Sequence, residues 1–240
     1  AEAPSAGESP MRIWELIYGG VLDILFPQKC VFCGKLLDGE PDICGKCRGA
    51  MEKFPELPPN TKPDGKSRLR FLDSFTAVWY YKGKVRDGIL GLKFRYRVDY
   101  ALPLGRSVAM KVLREQGTGF DAVTWAPVSA LRRLRRGYDQ SQLLARTVGK
   151  ELGIPARRLL KKQRHTPAQS RLTTEERRAN VLGAYRFAGK QSVAGKRILL
   201  IDDVFTTGAT AGECARVLLT AGAKSVSCAA VAAAPGHSDK

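Results

Sequence analysis

Histidine is scarce in this 240-residue chain, which has two against 40 lysines and arginines. With neither a convincing histidine partner nor a nucleophile-elbow turn, a hydrolase of the serine–histidine kind is excluded. His165 stands in a polar stretch and is assigned no role. Long apolar runs are also missing. The nearest, Ile13 to Phe26, is broken by Glu15 and Asp23 and falls short of the roughly 20 apolar residues that span a bilayer. It reads as an amphipathic helix, and no transmembrane segment is expected. Residues 1–10 are small, polar and acidic without the positive start of a secretion signal. They read as a disordered tail or cloning remnant, and the cytoplasm is the expected location. Gly65-Lys66-Ser67 lacks the first glycine of a phosphate loop, Asn60 standing in its place, and no strand precedes it, which excludes a Walker-type nucleotide site. No helix-turn-helix or repeated finger is legible, so a sequence-specific DNA reader is disfavoured.

Acidic residues are outnumbered 23 to 40, for a net charge of +17. The excess is concentrated: residues 121–190 hold 16 basic and 5 acidic residues, which is +11. Within that window Arg132, Arg133, Arg135, Arg136, Arg157, Arg158, Lys161, Lys162 and Arg164 form the candidate surface for a polyanion, either a diphosphate ligand or nucleic acid. For a nucleic acid, aromatic residues to stack on bases are sparse, with Tyr138 and Phe32 the best candidates.

Four of the six cysteines, Cys30, Cys33, Cys44 and Cys47, are spaced C-x2-C-x10-C-x2-C. Each CxxC turn aims two sulfurs at one centre, and a short spacer brings the pairs together into a tetrahedral thiolate site. Zinc is favoured, with rubredoxin-type iron the minor option. Disulfides would need an oxidising compartment, for which no export signal is seen. Cys214 and Cys228 fall in apolar segments and read as inert core residues.

The chain divides into the tail, an amphipathic helix with the cysteine knuckle over 11–54, a linker over 55–67 rich in proline and lysine, a main domain over 68–234 and a polar tail over 235–240. In the main domain, strand-like runs at Phe75–Tyr81, Ala122–Ala126, Arg197–Ile201 and Ser225–Ala233 alternate with helical patterns at 85–94, 100–114, 141–151 and 210–219. That alternation predicts an α/β fold with a parallel sheet flanked by helices. The stretch from Arg164 to Arg177 is polar, charged and without apolar period, and reads as a lid loop.

The richest stretch is Arg-Ile-Leu-Leu-Ile-Asp-Asp-Val-Phe-Thr-Thr-Gly-Ala-Thr, residues 197–210. An aliphatic strand delivers Asp202 and Asp203 to a hydroxyl-rich loop, Thr206, Thr207, Gly208, Ala209 and Thr210, at the start of a helix. Carboxylates accept hydrogen bonds from sugar hydroxyls or hold Mg²⁺. Loop amides and hydroxyls at a helix N-terminus suit a phosphate. A phosphorylated sugar satisfies both.

This stretch resembles the phosphoribosyl-diphosphate (PRPP) signature of type I phosphoribosyltransferases. The resemblance implies that Asp202 and Asp203 hold the ribose hydroxyls and carry the catalytic role, that Thr206–Thr210 hold the 5′-phosphate, and that Val128, Ser129, Ala130 and Leu131, after the first core strand, grip the diphosphate with Mg²⁺. The order of further motifs narrows the likeness. The four-cysteine knuckle, Tyr81-Lys82-Gly83-Lys84-Val85-Arg86, Leu92-Lys93-Phe94, Arg136-Gly137-Tyr138-Asp139-Gln140, Gln169 with Leu172, Arg177 with Asn180, and 201–210 follow the order seen in ComF (ComFC) proteins over residues 12–234. Tyr138 and Asp139 stand where Phe and Asn are usual, and Asp139 places a negative charge near the diphosphate loop. That family implies PRPP binding and a cytoplasmic part in DNA uptake during natural transformation, with single-stranded DNA and other DNA-processing proteins as partners. The competing reading is a Mg²⁺-dependent phosphoribosyltransferase acting on a nitrogen acceptor without a DNA role.

Overall fold

The computed structural model describes residues 28–37, 42–55, 71–163 and 181–235, and the chain divides into two compact units, Ala1–Gly49 and Ala50–Lys240. The amphipathic helix expected near Ile13–Phe26, most of the linker, the lid loop with Arg164, and residues 236–240 lie outside the described residues.

In the small unit the first CxxC occupies a tight turn. Lys29 and Leu36 pair antiparallel across it, the Cys30 amide donates to the Lys35 carbonyl at 2.8 Å, and Gly34 takes a positive φ of 72° that a side chain would resist. The second CxxC opens helix α1 (Gly45–Ala50), where the Arg48 amide donates to the Cys44 carbonyl. Among the described residues there, Val31, Phe32 and Ile43 are buried with Cys30, Cys44 and Cys47, while Cys33 is exposed.

The large unit is built on a four-stranded parallel sheet of β1 (Ser74–Tyr80), β2 (Ala122–Trp125), β5 (Arg197–Phe205) and β6 (Ser225–Ala233), in the order β1-β6-β5-β2. Strands buried on both faces read as unbroken aliphatic runs; Ile198 to Ile201 are fully buried, and so are Cys228 to Ala233 in the small-residue strand β6. Helices α2 (Gly83–Phe94) and α3 (Ala101–Gln116) connect β1 to β2, while α4 (Ala130–Arg136) and α5 (Gln140–Leu152) follow β2. Helix α6 (Ala209–Thr220) crosses from β5 to β6. A two-stranded antiparallel ribbon, β3 (Leu160–Lys162) with β4 (Tyr185–Phe187), packs beside α6. Helices α3 and α5 pack on each other and on the sheet.

Phe54 belongs to this unit and not to the knuckle. Its ring is buried between Phe75 and Tyr80, its amide donates to the Val78 carbonyl, and its carbonyl accepts from buried Lys111 Nζ at 3.1 Å. The contact boundary between the units therefore falls near residue 50, ahead of the expected 54.

Candidate functional site

Strand β5 outlasts its neighbour. Pairing with β2 ends at Trp125 opposite Ile201, whereas pairing with β6 continues through Phe205 opposite Ala233. Past Ile201 the edge of β5 that faced β2 opens into a crevice at the carboxyl end of the sheet, where open α/β sheets hold ligands. Asp202 and Asp203 sit on that overhang, within the strand and not in the loop after it. The crevice is a cleft of about 980 Å³ lined by both carboxylates and by every residue from Thr206 to Thr210. Gly208, at a φ of 69°, turns the chain into α6. The helix dipole thus points its positive end at the loop.

The carboxylates are held by residues that the sequence offered only as family motifs or basic charge, with no contact to the carboxylates expected of them. Lys93 Nζ, on α2, lies 2.7 Å from Asp203 Oδ1, and Gln140 Nε2, on α5, donates to Asp203 Oδ2 at 2.8 Å. Arg136 donates in turn to Gln140 Oε1 at 3.0 Å, which fixes the amide's orientation. Asp202 accepts from the Ser141 hydroxyl at 3.3 Å and from the Asp203 amide at 2.8 Å. Burial, then the neighbouring charge of Asp203, push the Asp202 carboxyl up to about 7, with Lys93 opposing the rise.

Asp139 does not face the cleft as a repelling charge. It is buried, caps α5 by accepting from the Gln142 amide at 3.3 Å, and accepts from the Val128 amide at 3.0 Å, so its carboxylate ties the loop after β2 to the next helix. Burial raises its pKa, while those amide hydrogen bonds oppose the rise. Among the four residues expected to grip a diphosphate, Val128 lines the cleft. Ser129 is buried and caps α4 through the Arg132 amide at 3.4 Å, Ala130 begins that helix, and Leu131 is exposed.

The basic window separates into two sets. Arg132, Arg135, Arg136 and Lys162 line the cleft, whereas Arg133, Arg157, Arg158 and Lys161 lie outside its lining. Burial first, then the nearby Arg132 charge, lower the Lys162 ammonium to about 8. The ammonium stands 5.1 Å from the ring centre of Tyr185, another cleft residue.

The proposed stacking residues are differently employed. Phe32 is buried in the knuckle, and the Tyr138 hydroxyl donates to the Leu92 carbonyl, so the tyrosine that replaces the usual Phe ties α2 to the α4–α5 turn. Six aromatic residues line the cleft, Tyr81, Phe94, Tyr96, Tyr138, Tyr185 and Phe205, and of these Phe94 and Tyr96 are the strongly exposed ones. Their signal was the alternation Lys93-Phe94-Arg95-Tyr96-Arg97, a run of interleaved basic and aromatic residues.

In the small unit, the ligand atoms of Cys30, Cys33, Cys44 and Cys47 all lie within 4.8 Å of one another, with Cys33 and Cys44 sulfurs 3.6 Å apart. Four sulfurs about 2.3 Å from a common ion fit that spread. Burial, then the neighbouring sulfurs, push the Cys47 thiol up to about 12, as in a cluster of acids that needs a cation before all four can ionise. The donor set fits zinc. Among the described residues, no helix is long and apolar enough to cross a membrane.

The comparisons agree with this division. Residues 135–240 match the phosphoribosyl transferase domain and residues 21–58 the double zinc ribbon domain. The DNA utilization protein YhgH of Escherichia coli O157:H7 is 34% identical over 205 residues, covering 82% of this chain and 86% of that protein. Competence protein F of Haemophilus influenzae is 26% identical over 217 residues, covering 84% and 95%. A glutamine PRPP amidotransferase structure from B. subtilis overlaps with a TM-score of 0.41 at 20% identity, covering 60% of this chain and 30% of that one. From the 34% identity to a curated relative over more than four fifths of both chains, and the pairing of a four-cysteine unit with a phosphoribosyl transferase domain, the chain belongs to the ComF family.

Proposed function

We propose that the cleft binds PRPP with Mg²⁺ and that the chain handles single-stranded DNA in the cytoplasm during DNA uptake. The observation that carries the reading is the β5 overhang, which sets two acceptor-only carboxylates beside a hydroxyl loop at a helix N-terminus. Asp202 and Asp203 accept hydrogen bonds from the ribose diol, and Thr206–Thr210 with the α6 dipole hold the 5′-phosphate. The Val128 amide is already taken by Asp139, so the arginines of α4 and Lys162 carry most of the diphosphate's charge. Asp202 has no ion-pair partner among the described residues and is the carboxylate suited to Mg²⁺, which would neutralise the diphosphate as a leaving group. Relatives named for competence and DNA utilization support the DNA role. Arg133, Arg157, Arg158 and Lys161, outside the cleft, supply charge for a strand while the cleft is filled.

Titration calorimetry with PRPP and Mg²⁺ tests the cleft. The Asp202→Asn, Asp203→Asn variant loses charge-assisted hydrogen bonds worth about 1.5–3 kcal/mol each, so affinity should fall more than about tenfold. Equal binding by wild type and variant refutes the assignment. Labelled single strands and duplexes titrated at several salt concentrations test the DNA role, with strong salt dependence expected. Diphosphate release in the presence of amines or bases, without any DNA binding, would instead select the transferase reading.

A further inference from the structure

Helix α2 ends in a corner that the phosphoribosyl reading leaves unused. Phe94 is 61% exposed and Tyr96 69% exposed, yet both line the cleft that holds Asp202 and Asp203. Exposed apolar rings grouped at the rim of a cleft mark a surface suited to a ligand or partner. The corner is also held in shape. Tyr96 adopts a positive φ of 55°, a conformation that costs a bulky residue energy and persists when its surroundings dictate it. The surroundings do: Arg95 and Arg97 amides both return to the Gly91 carbonyl, at 3.0 and 3.4 Å, and the Val98 amide donates to the Tyr96 carbonyl at 2.9 Å. Arg97 lies over the Tyr100 ring at 4.3 Å and is clamped by Asp99. A β-carbon on Gly91 would meet the Tyr100 ring at 2.9 Å, so that ring closes directly on the helix. Arg136 completes the arrangement. Its guanidinium carbon is 4.5 Å from the centre of the Phe94 ring, while its other partner, Gln140, reaches Asp203.

We propose that Phe94 and Tyr96, with Arg136 at the Phe94 ring, form a stacking subsite for an unpaired nucleobase, in the same cleft as the carboxylate pair. Planar aromatic faces beside guanidinium groups are what an unpaired base with an attached phosphate requires, and stacking of this kind accepts any base. The base has two sources, a strand of DNA or a free base offered to PRPP as a nitrogen acceptor; the subsite rests on the phosphoribosyl reading for the second source and not for the first.

The test compares wild type with Phe94→Leu, Tyr96→Asn. Both rings are exposed, and asparagine tolerates the left-handed backbone at 96. Binding is measured to a thymidine oligonucleotide, to an abasic oligonucleotide of the same length, and to adenine with PRPP and Mg²⁺ present. Loss of about tenfold or more on a base-bearing probe, with the abasic strand held to within about twofold, supports the subsite. A loss confined to the oligonucleotide identifies the strand as the source, and one confined to adenine identifies the acceptor. Phe94→Trp with Tyr96 intact should keep base-dependent binding. Equal loss on base-bearing and abasic strands, or no loss on either the oligonucleotide or adenine, overturns the proposal. PRPP binding by each variant is measured in parallel, so a subsite that fails while PRPP still binds is distinguished from a cleft that never held PRPP.

Discussion

The four-cysteine unit and the sheet unit solve the folding problem in opposite ways. Among its described residues the small unit buries only Val31, Phe32 and Ile43 around its four-cysteine cluster, a small apolar set of the kind that a metal ion staples. The sheet unit buries an uninterrupted aliphatic layer, Ile198 to Ile201, between helices on its two faces. One is fixed by a few coordinate bonds and the other by many weak contacts, so the two should fail under different insults.

The largest expected effect is on the metal side. Structural zinc contributes apparent binding energies of about 10 kcal/mol or more in small sites, so Cys44→Ser or a strong chelator should unfold the knuckle and release the ion while the sheet unit keeps its melting transition. Metal analysis with hydrogen exchange checks this; a sheet that melts together with the knuckle breaks the comparison. Next comes Leu200→Ala, at the fully buried centre of β5. A cavity there should cost about 2–5 kcal/mol in the sheet unit and leave metal content unchanged. Calorimetric melting and metal analysis on the same sample decide it. Asp139→Ala removes a helix cap worth about 0.5–2 kcal/mol and also frees the Val128 amide. It should lower the sheet unit's melting temperature modestly and weaken PRPP binding, whereas a purely repulsive Asp139 would predict tighter binding.

A further effect is on pH. A carboxyl raised to about 7 in the folded chain holds more protons folded than unfolded, so its contribution to stability falls as pH rises from about 4 through 7. Ligand affinity runs the other way. Asp202 serves a sugar diol or Mg²⁺ best once ionised, so PRPP affinity should rise between about pH 6 and 8 by a few-fold more in wild type than in Asp202→Asn. The phosphate's own ionisation is common to both proteins and cancels. Equal pH slopes would remove Asp202 from the site.

The two units also differed in how far their sequences could be read. Spacing alone announced the thiolate cluster, because CxxC is a local geometry. Period and composition placed β5, β6 and α6, and the strand ending in Asp202 and Asp203 marked the crevice. What escaped were partners brought together only by folding. Lys93 and Gln140 stood in quoted motifs, but they reach Asp203 from helices distant in sequence, and that contact is not written in either motif. Asp139 was legible as a charge but not as a cap, since whether a carboxylate repels a ligand or satisfies amides depends on which way the chain turns at 137–140. Phe94 was legible only as part of the Leu92-Lys93-Phe94 motif and Tyr96 not at all, because their exposure is set by the corner after α2, which leaves both rings open.

The unequal lengths of β5 and β2 have a mechanical consequence. The main-chain ladder to β6 carries the two carboxylates: Asp202 lies opposite Ala230, and the pairing runs on through Val204 and Phe205. Their spacing along the strand is therefore gauged by backbone hydrogen bonds against alanines, not by the side chains that crowd the cleft. Residues at the rim, on α2, α4 or the ribbon, can be exchanged to admit a different guest while the gauge keeps its setting.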